Sequence, residues 1–128
     1  MVKISIPARK GFSILHSFDS WRVAISISSG RENVMDVSRH NYTDECFFLI
    51  DGGGYLITAK EKDSSFDFEV VRIEKDVVYT IKKGEWHSHC WDENTRVLIF
   101  ENDNTCDLNS DKHYLDEGEK ARLNLLLQ

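Results

Sequence analysis

The sequence predicts an all-β protein built as a barrel or sandwich of antiparallel strands. Runs of β-branched and aromatic residues, five to eight residues long, recur at intervals of about ten residues. Several runs alternate apolar and polar side chains with a period of two, as a strand with one buried face does. Only the last part of the chain, after Tyr114, has the pattern of a short amphipathic helix.

The predicted strands occupy most of the chain before residue 101. The first clear one covers residues 21–28, where a row that starts at Trp21 and includes Val23, Ile25 and Ile27 is predicted to be the buried face. Shorter extended segments are predicted at residues 2–6 and 12–15. The remaining predicted strands cover residues 34–40, 45–50, 55–59, 66–70, 77–81, 86–91 and 96–100.

Three further segments complete the prediction. Residues 45–50 have no polar face, so this strand is expected to lie in a packed layer. Residues 51–54 contain three consecutive glycines and are the strongest turn signal in the chain. Residues 103–112 read as a polar loop, and residues 119–127 as a short helix that packs against the barrel or a partner subunit.

Length and composition indicate one folded unit. The chain has 128 residues, 41% of them hydrophobic, and no stretch rich in proline, glycine or serine that would act as a linker. A chain of this size can bury a sizeable core without disulfides or metals. We therefore predict a single domain over residues 1–128, with its core at about 21–101 and a C-terminal tail at 102–128.

Charge and hydropathy exclude two kinds of partner. The 22 acidic and 16 basic residues give a net charge of −6 and leave no basic stripe for a nucleic-acid backbone. No apolar run approaches the ~20 residues that a membrane-spanning helix needs, and the first residues lack the apolar region of a signal peptide. Three cysteines without a pattern fit free thiols in a reducing compartment. We therefore expect a cytoplasmic protein with no nucleic-acid or membrane partner.

His40 and Glu45 form the first candidate site. The histidine lies near the end of one predicted strand and the glutamate at the start of the next, so a tight turn can bring them together. Imidazole nitrogen and carboxylate oxygen bind divalent metals at about 2.0–2.2 Å, which suits Zn, Fe, Mn or Ni. The same two residues would equally form a buried hydrogen bond or a surface pair.

His87 and His89 supply two more imidazoles. Positions i and i+2 of a strand point to the same side, so both rings can face one cavity. We therefore take His40, Glu45 and His87, with His89 as a fourth, as candidate metal ligands, and the first three equally as groups that bind a small molecule directly. In the alternative, His89 lies near a turn and faces solvent.

The spacing of these residues resembles that of the cupin family. His40-x4-Glu45-x6-Gly52 matches the second half of the first cupin motif, Gly-x5-His-x-His-x4-Glu-x6-Gly. Gly84-x2-His87 matches the histidine half of the second motif, Gly-x5-Pro-x-Gly-x2-His-x3-Asn. The resemblance covers the whole predicted core, and the chain looks like a small single-domain cupin.

The metal motif is degenerate in this chain. The first histidine of the family's His-x-His falls on Ser38, so the resemblance leaves three of four ligand positions, His40, Glu45 and His87. Serine is a poor ligand for a soft or borderline metal. His89 would be the substitute.

The resemblance implies a jelly-roll-like cupin β-barrel with a pocket in its mouth, and it implies a homodimer. Two functions are then open. The first is a protein that binds a small molecule in the barrel pocket, without catalysis and with no cofactor. The alternative is a metal-dependent enzyme of the isomerase, epimerase or dioxygenase type. Fold alone does not choose between them, and no substrate class is readable.

Overall fold

The computed structural model describes all 128 residues of the chain. It contains one α-helix, α1 (Glu117–Leu126), and a single 3₁₀ turn at Asp107–Asn109. The strands are β1 (Gly11–Phe18), β2 (Trp21–Ile27), β3 (Asp36–His40), β4 (Glu45–Asp51), β5 (Gly54–Lys62), β6 (Ser65–Arg72), β7 (Val78–Ile81), β8 (Trp86–Trp91), β9 (Arg96–Asn102) and β10 (Ser110–Tyr114). The predicted all-β class with a short C-terminal helix is confirmed.

The strands form two five-stranded antiparallel sheets. Sheet I has the order β1-β2-β9-β4-β7, and sheet II has the order β10-β3-β8-β5-β6. Only the β1–β2 and β5–β6 hairpins stay within one sheet, while every other connection crosses to the opposite sheet. Two packed antiparallel sheets linked in this way are a jelly roll.

Side chains from both sheets fill the space between them. On β4 and β9, alternate residues point inward, so Phe47, Leu49, Val97 and Ile99 lie in this inner core and are nearly inaccessible. Sheet II contributes Leu56 and Trp91 to the same cluster. The inner core therefore holds the two sheets together.

A second apolar cluster lies between α1 and the outer face of sheet II. Leu123 of the helix is fully buried there, against residues that include Ile57 and Phe66. The helix begins with a capping box, in which Asp116 and Glu119 each accept from the other's backbone N–H, at 2.8 and 2.9 Å. No helix in the structure combines the length and the apolar character that crossing a membrane requires. The expected cytoplasmic location stays a prediction.

The glycine-rich turn connects the sheets at a corner. Gly52 has φ of +86°, a conformation that side chains other than glycine rarely adopt. A Cβ at this position would also collide with Thr95, whose buried hydroxyl donates to the Gly53 carbonyl at 2.8 Å. The predicted turn is confirmed, and it links β4 of sheet I to β5 of sheet II.

The structure contradicts two parts of the secondary-structure prediction. Residues 2–6 form no strand and are mostly exposed. Residues 110–112, predicted as loop, belong to β10, which pairs with β3 along its whole length. The sequence of β10 is polar and does not by itself predict a strand. It forms one because it pairs with β3.

The inward face of β2 is also the opposite of the predicted one. Arg22 pairs with Glu101 and Ala24 with Ile99 across β2 and β9, so these side chains face inward. The apolar row that begins at Trp21 lies on the outer face of sheet I, where Trp21 is 44% exposed. The inner row of β2, Arg22, Ala24 and Ser26, contains a single apolar residue, so the alternation of apolar and polar residues points to the wrong face.

Candidate metal and ligand site

Three of the predicted site residues converge between the sheets. His40 ends β3 and Glu45 begins β4, and the turn between them carries the chain from sheet II to sheet I. His87 lies on β8, which neighbours β3, and is paired with Ser38. A hydrogen bond of 2.7 Å from the Gly84 N–H to the His40 carbonyl ties the end of β3 to the turn before β8. The imidazoles thus come from one sheet and the carboxylate from the other.

Both imidazoles approach the same oxygen of Glu45. The distance to Glu45 Oε1 is 3.0 Å from Nε2 of His87 and 3.7 Å from Nε2 of His40. The ring centroids lie 5.1 Å apart, and the ligand atoms of all three residues lie within 4.8 Å of one another. Glu45 and His87 are buried, and His40 is partly buried.

Contacts at Nδ1 fix the orientation of both rings. Nδ1 of His87 donates to the Glu85 carbonyl oxygen at 3.0 Å, because a carbonyl can only accept. Nδ1 of His40 contacts the Ser110 hydroxyl at 2.7 Å. Each ring therefore turns Nε2 toward Glu45, as metal-binding histidines do when their other nitrogen is held by a hydrogen bond.

The charges of the three residues depend on one another. Burial disfavours the carboxylate form of Glu45, but the His40 imidazole at 3.7 Å and the hydrogen bond with His87 outweigh burial and hold its pKa well below the ordinary value. Burial also opposes a charge on His87, yet its hydrogen bond to Glu45 raises its pKa. These shifts favour a carboxylate paired with an imidazolium, and a divalent cation would have to displace the Nε2 proton.

A second carboxyl group lies at the site, that of Glu101, which is not among the residues predicted from the sequence. Burial, followed by the neighbouring Glu45 carboxylate, raises the pKa of Glu101 to about 7. Its Oε1 accepts from Nη2 of Arg22 at 2.7 Å, while its Oε2 is buried and meets no donor. A proton on this carboxyl therefore allows it to bond to Glu45.

Glu101 does have a signal in the sequence. It continues the row of Val97 and Ile99, so an ionisable residue stands where the alternation of β9 demands an inward apolar one. A buried acid at such a position is a candidate functional group. Its neighbour Arg22 has no such signal, because it belongs to the polar row of β2, which the alternation assigns to the solvent side.

A cavity of about 440 Å³ adjoins His40, Glu45 and Glu101. This volume lies within the range of roughly 300–1,000 Å³ that is usual for small-molecule sites. Only two of the twelve lining residues are hydrophobic, and Ser38 is one of the polar ones. The cavity is therefore suited to a small polar molecule.

The structure does not bring His89 to the other three residues. Two residues along a strand span about 6.6–6.8 Å, whereas two donors on one ion with bonds of about 2.1 Å are at most about 4.2 Å apart. His89 stacks on Trp91, with ring centroids 4.6 Å apart, and is exposed in a separate cleft that Asp36 also lines. It shares the parity of His87 but lies too far along β8.

His40, Glu45 and His87 fit a divalent metal. Two imidazoles and one carboxylate suit Zn, Fe, Mn or Ni. The 4.8 Å spread of their ligand atoms exceeds the span of about 4.2 Å allowed by metal–ligand bonds only slightly, so small side-chain rotations would suffice. Three protein ligands leave coordination positions free for a substrate, as in catalytic metal sites.

Comparison with known proteins gives structural matches only. No family model matches the sequence, and no curated protein matches it. The structure is similar to that of Pac13, described as a unique nucleoside dehydratase, with a TM-score of 0.63 and 11% identity over 93% of this chain and 97% of that chain. A variant of Pac13, from Streptomyces, has been solved with uridine.

Two further solved structures are similar. KdgF from Halomonas has a TM-score of 0.56 and 10% identity, over 76% of this chain and 81% of its own. A cupin-2 domain protein from Shewanella frigidimarina has a TM-score of 0.53 and 17% identity, over 76% of this chain and 84% of its own. Identities at this level show a common fold and nothing about the chemistry.

Proposed function

We propose that this protein, which has the small cupin fold that its sequence resembles, binds a small polar molecule beside a divalent metal held by His40, Glu45 and His87. The convergence of the two imidazoles supports it. Both rings are held at Nδ1 and present Nε2 to a single carboxylate oxygen, at 3.0 and 3.7 Å. Two imidazoles and a carboxylate that converge beside a cavity form the donor set of a His₂-carboxylate metal site.

The surrounding residues keep this donor set in place. Ser110 and Glu85 hold the two rings, as their contacts at Nδ1 indicate. Arg22 fixes Glu101 with a salt bridge of 2.7 Å, and this holds the Glu101 carboxyl beside Glu45. A bound metal would supply a Lewis acid that polarises an oxygen of the ligand.

This arrangement favours the metal-dependent enzyme over a pocket that only binds. Three ligands with free coordination positions are what an isomerase, epimerase or dioxygenase would need. The polar lining of the cavity supplies hydrogen-bonding groups that would orient the substrate. The substrate class within these types stays open.

A metal-free binding pocket is the second candidate. It is supported by Ser38, which stands where the family has a fourth ligand, and by the direct His87–Glu45 bond of 3.0 Å, which satisfies both groups without an ion. In that case His40, Glu45 and His87 would hydrogen-bond the ligand themselves.

Metal analysis of protein purified without chelator separates the candidates. We expect close to one Zn, Fe, Mn or Ni per chain by mass spectrometry, and loss of that metal in His87→Ala. His89→Ala is the matched control, because His89 is exposed on the same strand, and it should keep the metal. Protein that contains none of these metals and takes none up would support the metal-free pocket instead.

A further inference from the structure

A second cleft between the sheets lies next to the candidate metal site, and we call it the His89 cleft. It has a volume of about 460 Å³, and Ser26, Asp36 and His89 are among the fifteen residues that line it. These three side chains occupy inward positions on β2, β3 and β8. His89 is the next inward residue after His87, so it lies about 6.6–6.8 Å farther along β8.

Strand pairing brings the polar groups of the cleft together. Ser38 is paired with His87, and the same antiparallel register places Asp36 opposite His89. Ser26 belongs to the other sheet, on the inward row of β2. The cleft therefore has a carboxylate and an imidazole from sheet II and a hydroxyl from sheet I.

These three groups have no partner within the chain. The side chains of Ser26, Asp36 and His89 form no hydrogen bond and no salt bridge with other residues. The carboxyl groups of Glu45 and Glu101, in contrast, each have a partner within 3.0 Å. Asp36 is partly buried, and a carboxylate in such a position is destabilising unless a donor satisfies it.

The charges of the lining select the kind of ligand. The lining contains two acidic residues, Glu32 and Asp36, and no lysine or arginine. Lys10 reaches the rim, but its ammonium already donates to the Ser28 carbonyl and to the Asn94 side chain, at 3.1 and 2.7 Å. A phosphate or a carboxylate would be repelled from this cleft, whereas a cation would be attracted.

We propose that the His89 cleft binds the primary ammonium group of a small-molecule amine. An ammonium has three N–H donors and no acceptor, which matches the three free acceptors on Ser26, Asp36 and His89. Its bond to the carboxylate is charge-assisted and about twice as strong as a bond between neutral groups. One face of the His89 ring stacks on Trp91, and the other face would contact the carbon atoms of the amine. The site needs no metal.

A divalent metal is the competing occupant of the cleft. An imidazole and a carboxylate are suitable ligands, but protein metal sites generally have at least three. The three side chains of this kind that lie close together are those of His40, Glu45 and His87, and no such group of three includes His89 or Asp36. A primary ammonium therefore fits the cleft better than a metal does.

An NMR titration with ethanolamine at pH 7 tests the proposal. EDTA is present, so that the result does not depend on metal binding at either site, and sodium chloride keeps the ionic strength constant. We expect a millimolar dissociation constant for so small a probe, with the largest amide shifts at residues 26, 36 and 89. Ethylene glycol, which has a hydroxyl in place of the ammonium, should bind at least about tenfold more weakly.

Two substitutions in the cleft sharpen the test. Asp36→Asn should weaken the binding of ethanolamine at least about tenfold, because it removes the anionic acceptor. Ser26→Ala should weaken it by about threefold, since one neutral hydrogen bond is lost. Asp103→Asn is the matched control, because it removes the same charge from an exposed position outside the cleft, and it should bind ethanolamine as the wild type does.

Three results would overturn the proposal. The first is the absence of shifts in the cleft at about 100 mM ethanolamine, and the second is equal binding of ethylene glycol. The third is displacement of ethanolamine from Glu45→Gln by one equivalent of Zn²⁺ without EDTA, which would make the cleft a metal site. Circular dichroism checks that each variant is folded, as expected for Asp36→Asn because its carboxylate bonds to no other residue.

Discussion

Two histidine–glutamate pairs in this protein have the same geometry but different surroundings. Nε2 and Oε1 are 3.0 Å apart both in His87–Glu45 and in His113–Glu119. Glu119, which is 1% exposed, also accepts from the backbone N–H groups of Asp116 and Phe66, at 2.9 and 3.1 Å. These bonds tie α1 to β6, so the second pair is part of the framework.

Glu45, in contrast, is bonded by side chains. His40, His87 and Glu101 surround it, and a cavity of about 440 Å³ lies beside it. Backbone amides cannot exchange a proton for a cation, whereas an imidazole can give up its Nε2 proton to a metal. A histidine–glutamate pair therefore indicates a metal site only when the other hydrogen-bond partners of the glutamate are side chains that can release a proton.

The largest expected difference between the two pairs is in metal affinity. Glu45→Gln should weaken Zn²⁺ binding at least about a hundredfold, because it removes the one anionic ligand. Glu119→Gln should leave the affinity unchanged. Isothermal titration calorimetry of both variants measures this, and equal losses in the two would mean that metal does not bind at Glu45.

The same two substitutions should rank in the opposite order in their effect on the free energy of unfolding. Glu119→Gln places an amide donor against backbone N–H groups and should lower the free energy of unfolding by about 2 kcal/mol. Glu45→Gln leaves no backbone group unpaired and should have a smaller effect. Urea denaturation in the presence of EDTA gives both values, and a larger loss in Glu45→Gln would contradict the division into site and framework.

The pH dependence of stability should arise at the site. Burial and the Glu45 charge raise the pKa of Glu101 to about 7, and the bond to Glu45 raises that of His87. A folded state that holds protons more tightly than the unfolded state is most stable at low pH, and that stability is lost as the pH rises through the folded pKa values. The lowered pKa of Glu45 has the opposite effect on stability, but only at pH values below its ordinary pKa of 4.5.

We therefore expect the metal-free protein to lose roughly 1–2 kcal/mol of stability between pH 5.5 and 7.5. Glu101→Gln should flatten this slope, and Glu119→Gln should keep it. Urea denaturation at several pH values measures the slope. Stability that rises with pH over this range would show that the carboxyl pair does not share a proton as described.

The smallest effect should come from restoring the missing imidazole. Ser38 is paired with His87 across β3 and β8 and lines the cavity. Ser38→His should therefore strengthen Zn²⁺ binding by about tenfold, since imidazole is a far better ligand than a hydroxyl. Ser88→His, on the opposite side of β8, is the control and should change nothing.

The sequence predicts the three converging residues because their positions depend on local rules. A turn joins His40 to Glu45, and strand parity turns His87 inward. Glu101 depends on the pairing of β9 with β4, which places it beside Glu45 and which the sequence does not specify. Arg22 could not be predicted because it belongs to the polar row of β2, which the alternation assigns to the solvent side, whereas pairing with β9 turns that row inward.

Two other differences between prediction and structure concern β10 and His89. β10 contains no apolar run, and it forms a strand because β3 offers an open edge along its whole length. His89 has the right parity for the site, but parity says nothing about distance along the strand. Patterns of period two therefore predict which residues share one side of a strand, and long-range pairing decides which side faces inward and what the residues meet there.

The most direct test of the site is a crystal soaked in Zn²⁺ and measured at the zinc absorption edge. We predict an anomalous peak about 2.0–2.2 Å from Nε2 of His40, Nε2 of His87 and a carboxylate oxygen of Glu45. No peak at that point, or a peak bound instead by His89 and Asp36, would contradict the assignment of the metal site.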